Sequence, residues 1–165
     1  MKSLYEVDTF ENGAQRAKGF PLKPRLDYIF VLDYGQPNMT PGGIYLGETA
    51  GQYEIYRHEH YRYGEVVAFG PGRFRKLVLG ATTGKEAWRP MAPEIQIGTT
   101  VFFSRKTGTR LPSKWDFVSQ KYPEQGPIHV RVFDPDKIVG TVEGDWEPWW
   151  NIKERQLNVD ATMSG

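Results

Sequence analysis

The chain contains no cysteine, which rules out a disulfide framework and any thiolate metal site and agrees with a reducing compartment. Net charge is nearly absent as well, at a formal +1, so no overall field would hold a polyanion or an anionic membrane. No run approaches the ~20 consecutive apolar residues needed to span a bilayer. Met1 to Asp8 show no apolar stretch of signal-peptide length. A soluble, cytoplasmic protein is the expectation, without contact to membrane or nucleic acid. Catalytic arrangements are missing too: no Ser stands with a His and an acid in a nucleophile turn, and no carboxylate pair stands out. The chain is therefore expected not to be an enzyme and to carry no cofactor.

What is present suits a β protein. The 165 residues are enough for one domain with a single core. The 18 Gly and 12 Pro break the backbone every few residues, favouring short strands joined by turns over long helices. Residues 1–20 are polar and turn-rich and read as an arm ahead of the domain. Leu26 to Asp33 form a β-branched and aromatic strand, apolar on both parities and so buried on both faces. Gly35 to Gly43 hold Pro37, Asn38, Pro41 and two further glycines, which predicts a mobile loop over about 34–47.

Tyr53, Ile55 and Tyr56 could occupy a short strand, whereas Arg57 to Arg62 look solvated. A compact strand follows from Gly64 to Gly70, closed by the turn Gly70-Pro71-Gly72. Residues 73–93 are a long basic excursion with one apolar run, Leu77-Val78-Leu79. The strand Thr99 to Phe103 comes next, then a polar insertion over about 112–127. Ile128, Val130 and Val132 alternate with His129 and Arg131, the period of a half-buried strand. After the turn Asp134-Pro135-Asp136, Lys137 to Val142 form a last strand, and residues 144–165 make an extension with Trp146, Trp149 and Trp150. The fold class is all-β, a small irregular barrel with long decorations.

Ile44 and Leu46 are large apolar residues beside a Pro/Gly-rich segment, where burial in their own core is hard to arrange. A partner groove would bury each for about 1.5–3 kcal/mol, with Tyr45 adding area and a hydroxyl. Ordering a loop costs about 1–2 kcal/mol per residue, so one loop alone binds weakly. A ring of loops binds far better, because later contacts form at high effective concentration.

Taken in order, these segments resemble the GroES family of co-chaperonins (chaperonin-10). Pro21-Leu22 and the strand after it are similar to the opening strand of that family. Gly42-Gly43-Ile44-Tyr45-Leu46 resembles the end of its mobile loop, which docks on the chaperonin. Gly64-Glu65-Val66-Val67-Ala68-Phe69-Gly70-Pro71-Gly72-Arg73 resembles its most recognisable run, Ile97 to Ser104 with Thr107-Gly108-Thr109 its later strand and turn, and Val130 to Phe133 with Asp136 to Gly140 its closing pair of strands. The resemblance covers about residues 21–143 and implies a GroES-like barrel that caps a GroEL-type chaperonin ring in its ATP-bound state. It implies a heptamer enclosing an unfolded client, with Gly42, Gly43, Ile44, Tyr45 and Leu46 as the grip. It also implies ring closure between strands near Leu26–Val31 and Lys137–Val142, and places residues 73–93 at the position of the dome-roof hairpin. The lengthened segments and the extension depart from the family pattern and suggest a bacteriophage member acting in a host cytoplasm.

Other readings stand beside this one. His58-Glu59-His60 would share a strand face as metal ligands, but without a second cluster they read as a solvated loop. Gly70-Pro71-Gly72-Arg73 lacks the Lys-Ser/Thr of a phosphate loop and reads as a β-turn. Arg73, Phe74, Arg75 and Lys76 could contact nucleic acid by phosphate pairing and stacking. The alternative function is accordingly a β-barrel binding module for single-stranded nucleic acid or peptide. The tail tryptophans read as packing against the barrel or a neighbour.

Overall fold

The strand expected from Leu26 begins three residues later, as β3 (Ile29–Asp33), because Leu26 turns into the left-handed region at φ 52°. That turn aims the Leu26 and Tyr28 carbonyls at the N–H groups of Gly72 and Gly70, at 2.9 and 3.0 Å. Glycine is required at position 70, since a Cβ there would lie 2.0 Å from the Leu26 oxygen. The computed structural model describes residues 5–35, 60–79, 82–144 and 146–148.

Twelve strands account for most of the regular structure among the described residues, with short 3-10 turns at Ser113–Trp115, Pro123–Gln125 and Pro135–Lys137. The hub is β4 (Tyr61–Phe69), which starts earlier than its composition suggests. Its first half pairs with β7 (Thr100–Ser104), Tyr61 opposite Ser104, so pairing holds Tyr61 and Arg62 in extended form despite their polarity. Its second half pairs with β3 along the other side, and β3 pairs in turn with β11 (Val130–Phe133). β8 (Thr109–Arg110) flanks β11, and β12 (Ile138–Thr141) flanks β7. The result is the all-β, antiparallel small barrel expected from the sequence.

The polar N-terminal residues are not a separate arm in this arrangement. β1 (Val7–Thr9) and β2 (Gln15–Ala17) form a hairpin, and β2 extends the sheet along β4. Ala14, Ala17 and Phe20 are buried, with Phe20 edge-on to Phe30 at 5.8 Å and to Phe117 at 5.3 Å. Three apolar side chains spaced among polar neighbours are enough to dock the segment.

Residues 73–93 become a hairpin of their own, β5 (Gly72–Leu79) with β6 (Thr82–Pro90), forming a two-stranded sheet distinct from the barrel. The 112–127 insertion folds into two 3-10 turns and the short pair β9 (Phe117–Val118) and β10 (Pro127–Ile128). The core runs through Ile29, Val31, Leu32, Val66, Val101, Phe103, Val130 and Phe133, drawn from the four central strands. Since β3 is hydrogen-bonded on both sides, Ile29 to Asp33 offer no free edge for ring closure. β12, with β7 as its pairing partner, keeps one side open among the described residues.

Candidate functional site

Gly42, Gly43, Ile44, Tyr45 and Leu46 lie outside the described residues, as do His58 and Glu59. What the structure shows is the base from which that segment departs and to which it returns. The departing end is β3 and the returning end is β4, its antiparallel neighbour, with Asp33 opposite Gly64. One residue further, the Tyr34 N–H donates to the Tyr63 carbonyl at 3.0 Å. Both ends of residues 36–59 are thereby held side by side on the rim of the barrel.

A buried aspartate fixes this rim. The Asp33 Oδ2 accepts from Arg131 Nε at 2.6 Å and from Arg62 NH1 at 3.1 Å, while Oδ1 accepts the Gly35 N–H at 2.7 Å. Arg131 also donates to the Thr107 carbonyl at 3.1 Å. One carboxylate so ties together the end of β3, the start of β4, β11 and the turn before β8. Its arginines are shielded, Arg131 being only 14% exposed, so the charges act through a low-dielectric setting and orient one another.

Behind the rim sits Glu65, opposite Leu32 in the β3–β4 register and almost fully buried. Its Oε1 accepts from the Tyr34 hydroxyl at 3.0 Å and from the Ser119 hydroxyl, and its Oε2 accepts from the Tyr5 hydroxyl at 3.3 Å. Burial pushes its carboxyl pKa above the ordinary range, although the Ser119, Tyr34 and Tyr5 hydrogen bonds and nearby Lys121 pull the other way. Burial, and then the charge of Glu65, push the Tyr34 and Tyr5 phenols far up, so both remain protonated donors. Lys121 is itself anchored on the Gly98 carbonyl at 3.1 Å. The network joins the N-terminal segment, the loop base, β4 and the 112–127 insertion.

An aromatic layer covers the same place. Trp146 stacks on Tyr34, with centroids 5.9 Å apart and planes 11° from parallel, and lies 4.8 Å from Tyr63. Tyr122 meets the Tyr34 ring edge-on at 5.8 Å. The start of the C-terminal extension thus packs back onto the loop base, as the packing reading of the tail tryptophans expects for Trp146; Trp149 and Trp150 fall outside the described residues.

Chemically this arrangement positions a chain segment. No group of three or more His, Cys, Asp or Glu side chains suited to a metal occurs among the described residues. Glu65 faces hydroxyl donors and not a second carboxylate or a histidine base. The loop expected over about 34–47 lies almost wholly outside the described residues, and the base on either side of it was not foreseen. A lone glutamate inside the apolar run Gly64 to Gly70 was the available signal, but its partners lie up to 60 residues away.

No family model matches the chain. A curated relative does: it is 31% identical over 90 residues to the co-chaperonin GroES of Desulfatibacillum aliphaticivorans, spanning 54% of this chain and 77% of that protein. Given that coverage, and an antiparallel barrel of short strands, the chain belongs to the GroES family of co-chaperonins.

Proposed function

We propose that the chain is a lid for a GroEL-type chaperonin and grips it through Gly42, Gly43, Ile44, Tyr45 and Leu46. The observation that carries this reading is the loop base. Asp33, Tyr34 and Glu65 hold the two ends of residues 36–59 together, so a force or a binding event along the segment is delivered to the barrel and not to a slack tether. Ile44 and Leu46 enter apolar grooves on the chaperonin, and Tyr45 adds contact area. Single grips are weak and reversible; several in one ring act together.

The lid is a ring of seven copies that closes over an unfolded client when the chaperonin ring binds ATP. Closure of such a ring needs a heterologous interface. The open side of β12 supplies one half of it, with Val139 55% exposed there. Residues ahead of β3 supply the other half, since β3 itself is already paired.

The test is capture of a GroEL-type chaperonin in the presence of ATP, with sedimentation to read the ring. Ile44→Asp and Leu46→Asp each abolish capture while the ring sediments as before. Undiminished capture by both variants refutes the grip. A parent protein that sediments as a monomer refutes the lid.

A further inference from the structure

The β5–β6 hairpin concentrates charge that the rest of the chain lacks. Between Gly72 and Pro90 stand Arg73, Arg75, Lys76, Lys85 and Arg89 against Glu86 alone. Five cations against one anion put the hairpin at +4 in a chain of formal +1, which leaves the remaining residues together at −3. Arg73 opposes Arg89 in the register, and Phe74 opposes Trp88. Strand alternation therefore gives the ribbon an arginine face and an aromatic face.

Each face has a distinct state. Arg73 and Arg75 both donate to Asp27 at 2.8 Å, which plants β5 on the barrel. On the other face Phe74 and Trp88 sit edge-on with centroids 5.1 Å apart, yet they are 61% and 46% exposed. Arg89 and Pro90 on β6 are exposed as well. Among the described residues β5 and β6 form a sheet of two strands, so β6 presents a strand edge on the side away from β5.

We propose that the β6 edge is a docking site for an extended acidic segment of polypeptide, which adds to the hairpin as a third strand. An open strand edge is a template for main-chain hydrogen bonding, and alternate side chains of the added strand reach the two faces. On one face its carboxylates meet Arg89, and on the other its apolar residues cover Phe74 and Trp88. Charge selects the occupant. Asp27 already answers Arg73 and Arg75, so the exposed Arg89 is the cation that selects, and a carboxylate on the added strand satisfies it. A nucleic acid strand would gain from the same cations, but it cannot use the strand edge, and the near-neutral chain offers it no wider positive surface. This goes beyond the loop-mediated grip and does not depend on it.

The experiment titrates labelled probes against the intact protein without chaperonin, reading fluorescence anisotropy. The probes are a short peptide of alternating Glu and Leu, its Lys-Leu counterpart, and a single-stranded DNA oligonucleotide. The Glu-Leu peptide is expected to bind, and Arg89→Glu to weaken it roughly tenfold, which is about 1.4 kcal/mol. Raising NaCl from about 0.1 to 1 M weakens it similarly, because the screening length falls to roughly 3 Å. The double variant Phe74→Ala, Trp88→Ala reduces affinity while far-UV circular dichroism and the melting midpoint stay unchanged. Ile44→Asp leaves the affinity as in the parent, which separates this site from the chaperonin grip. Equal binding of the Lys-Leu peptide, or indifference to Arg89→Glu, overturns the proposal. Tighter, hairpin-dependent binding of the oligonucleotide assigns the face to nucleic acid instead. A change of oligomeric state with Arg89→Glu assigns it to contact between copies, and either result also overturns the proposal.

Discussion

Asp33 stands where residues 36–59 leave the barrel, and Asp27 stands beneath the β5–β6 hairpin; each carboxylate receives two arginines. Both aspartates are buried, but their partners differ. Arg131 on Asp33 is 14% exposed, whereas Arg75 on Asp27 is 49% exposed. A cation withdrawn from water cannot be re-solvated when its partner is lost, whereas an exposed one can. The same motif is thus structural at the loop base and merely orienting at the hairpin. The difference suits the two proposed roles, in which the loop base transmits binding to the barrel and the hairpin is only presented.

The largest expected effect follows from removing the deeper clamp. Asp33→Ala strands two arginines near the core and lowers stability by about 3 kcal/mol, read as a shift in the urea midpoint. Amide exchange at Tyr34 and Tyr63 accelerates with it. If the midpoint does not move, the two clamps are equivalent and the contrast fails.

Trp146→Ala comes next, at about 2 kcal/mol, because a half-buried indole stacked on Tyr34 and tilted against Tyr63 leaves a partly collapsible gap. Thermal unfolding measures it, and exchange at the loop base checks that the loss is local to that layer.

A smaller effect is a pH slope from Glu65. Burial raises its folded-state pKa, so the native chain holds a proton that the unfolded chain releases. The stabilisation is fully present below the ordinary glutamate range and is lost as pH rises through the raised value. Glu65→Gln keeps one acceptor oxygen for Tyr34 and Ser119, replaces the acceptor of the Tyr5 hydroxyl with an amide N–H, and removes this slope. Parallel stability profiles for parent and variant above the ordinary glutamate range would refute the assignment.

Asp27→Ala has the least global effect. It is expected to leave the unfolding midpoint nearly unchanged while amides of β5 near Arg73 and Arg75 exchange faster. A loss of stability as large as that from Asp33→Ala would erase the distinction between the clamps.

Much of the barrel was legible from local pattern. Val66 to Phe69, Val101 to Phe103 and Val130 to Phe133 are dense in β-branched and aromatic residues, and they form the central strands. The N-terminal hairpin was not, because Ala14, Ala17 and Phe20 are too sparse to give a period and gain their meaning only against β4 and Phe117. The early start of β4 was hidden for a related reason, since Tyr61 and Arg62 extend only because β7 lies beside them. For residues 73–93, composition showed a basic excursion, but cross-strand register was needed to separate arginine and aromatic faces. Glycines and prolines between 35 and 43 are a local signal for a loop, whereas the base described beside it rests on contacts such as Tyr5 to Glu65 that no local window contains.

The closed rim at Asp33 and Gly64 has a consequence for how a lid of the proposed kind can diverge. With β3 and β4 locked at fixed register, lengthening a flexible connection between two such strands adds only to its closure cost, which grows slowly: each doubling of length costs about 0.6 kcal/mol. Reach can therefore be tuned by insertion or deletion with almost no change in folding stability. A lineage could match its lid to chaperonins of different rim height while leaving every residue of the barrel alone.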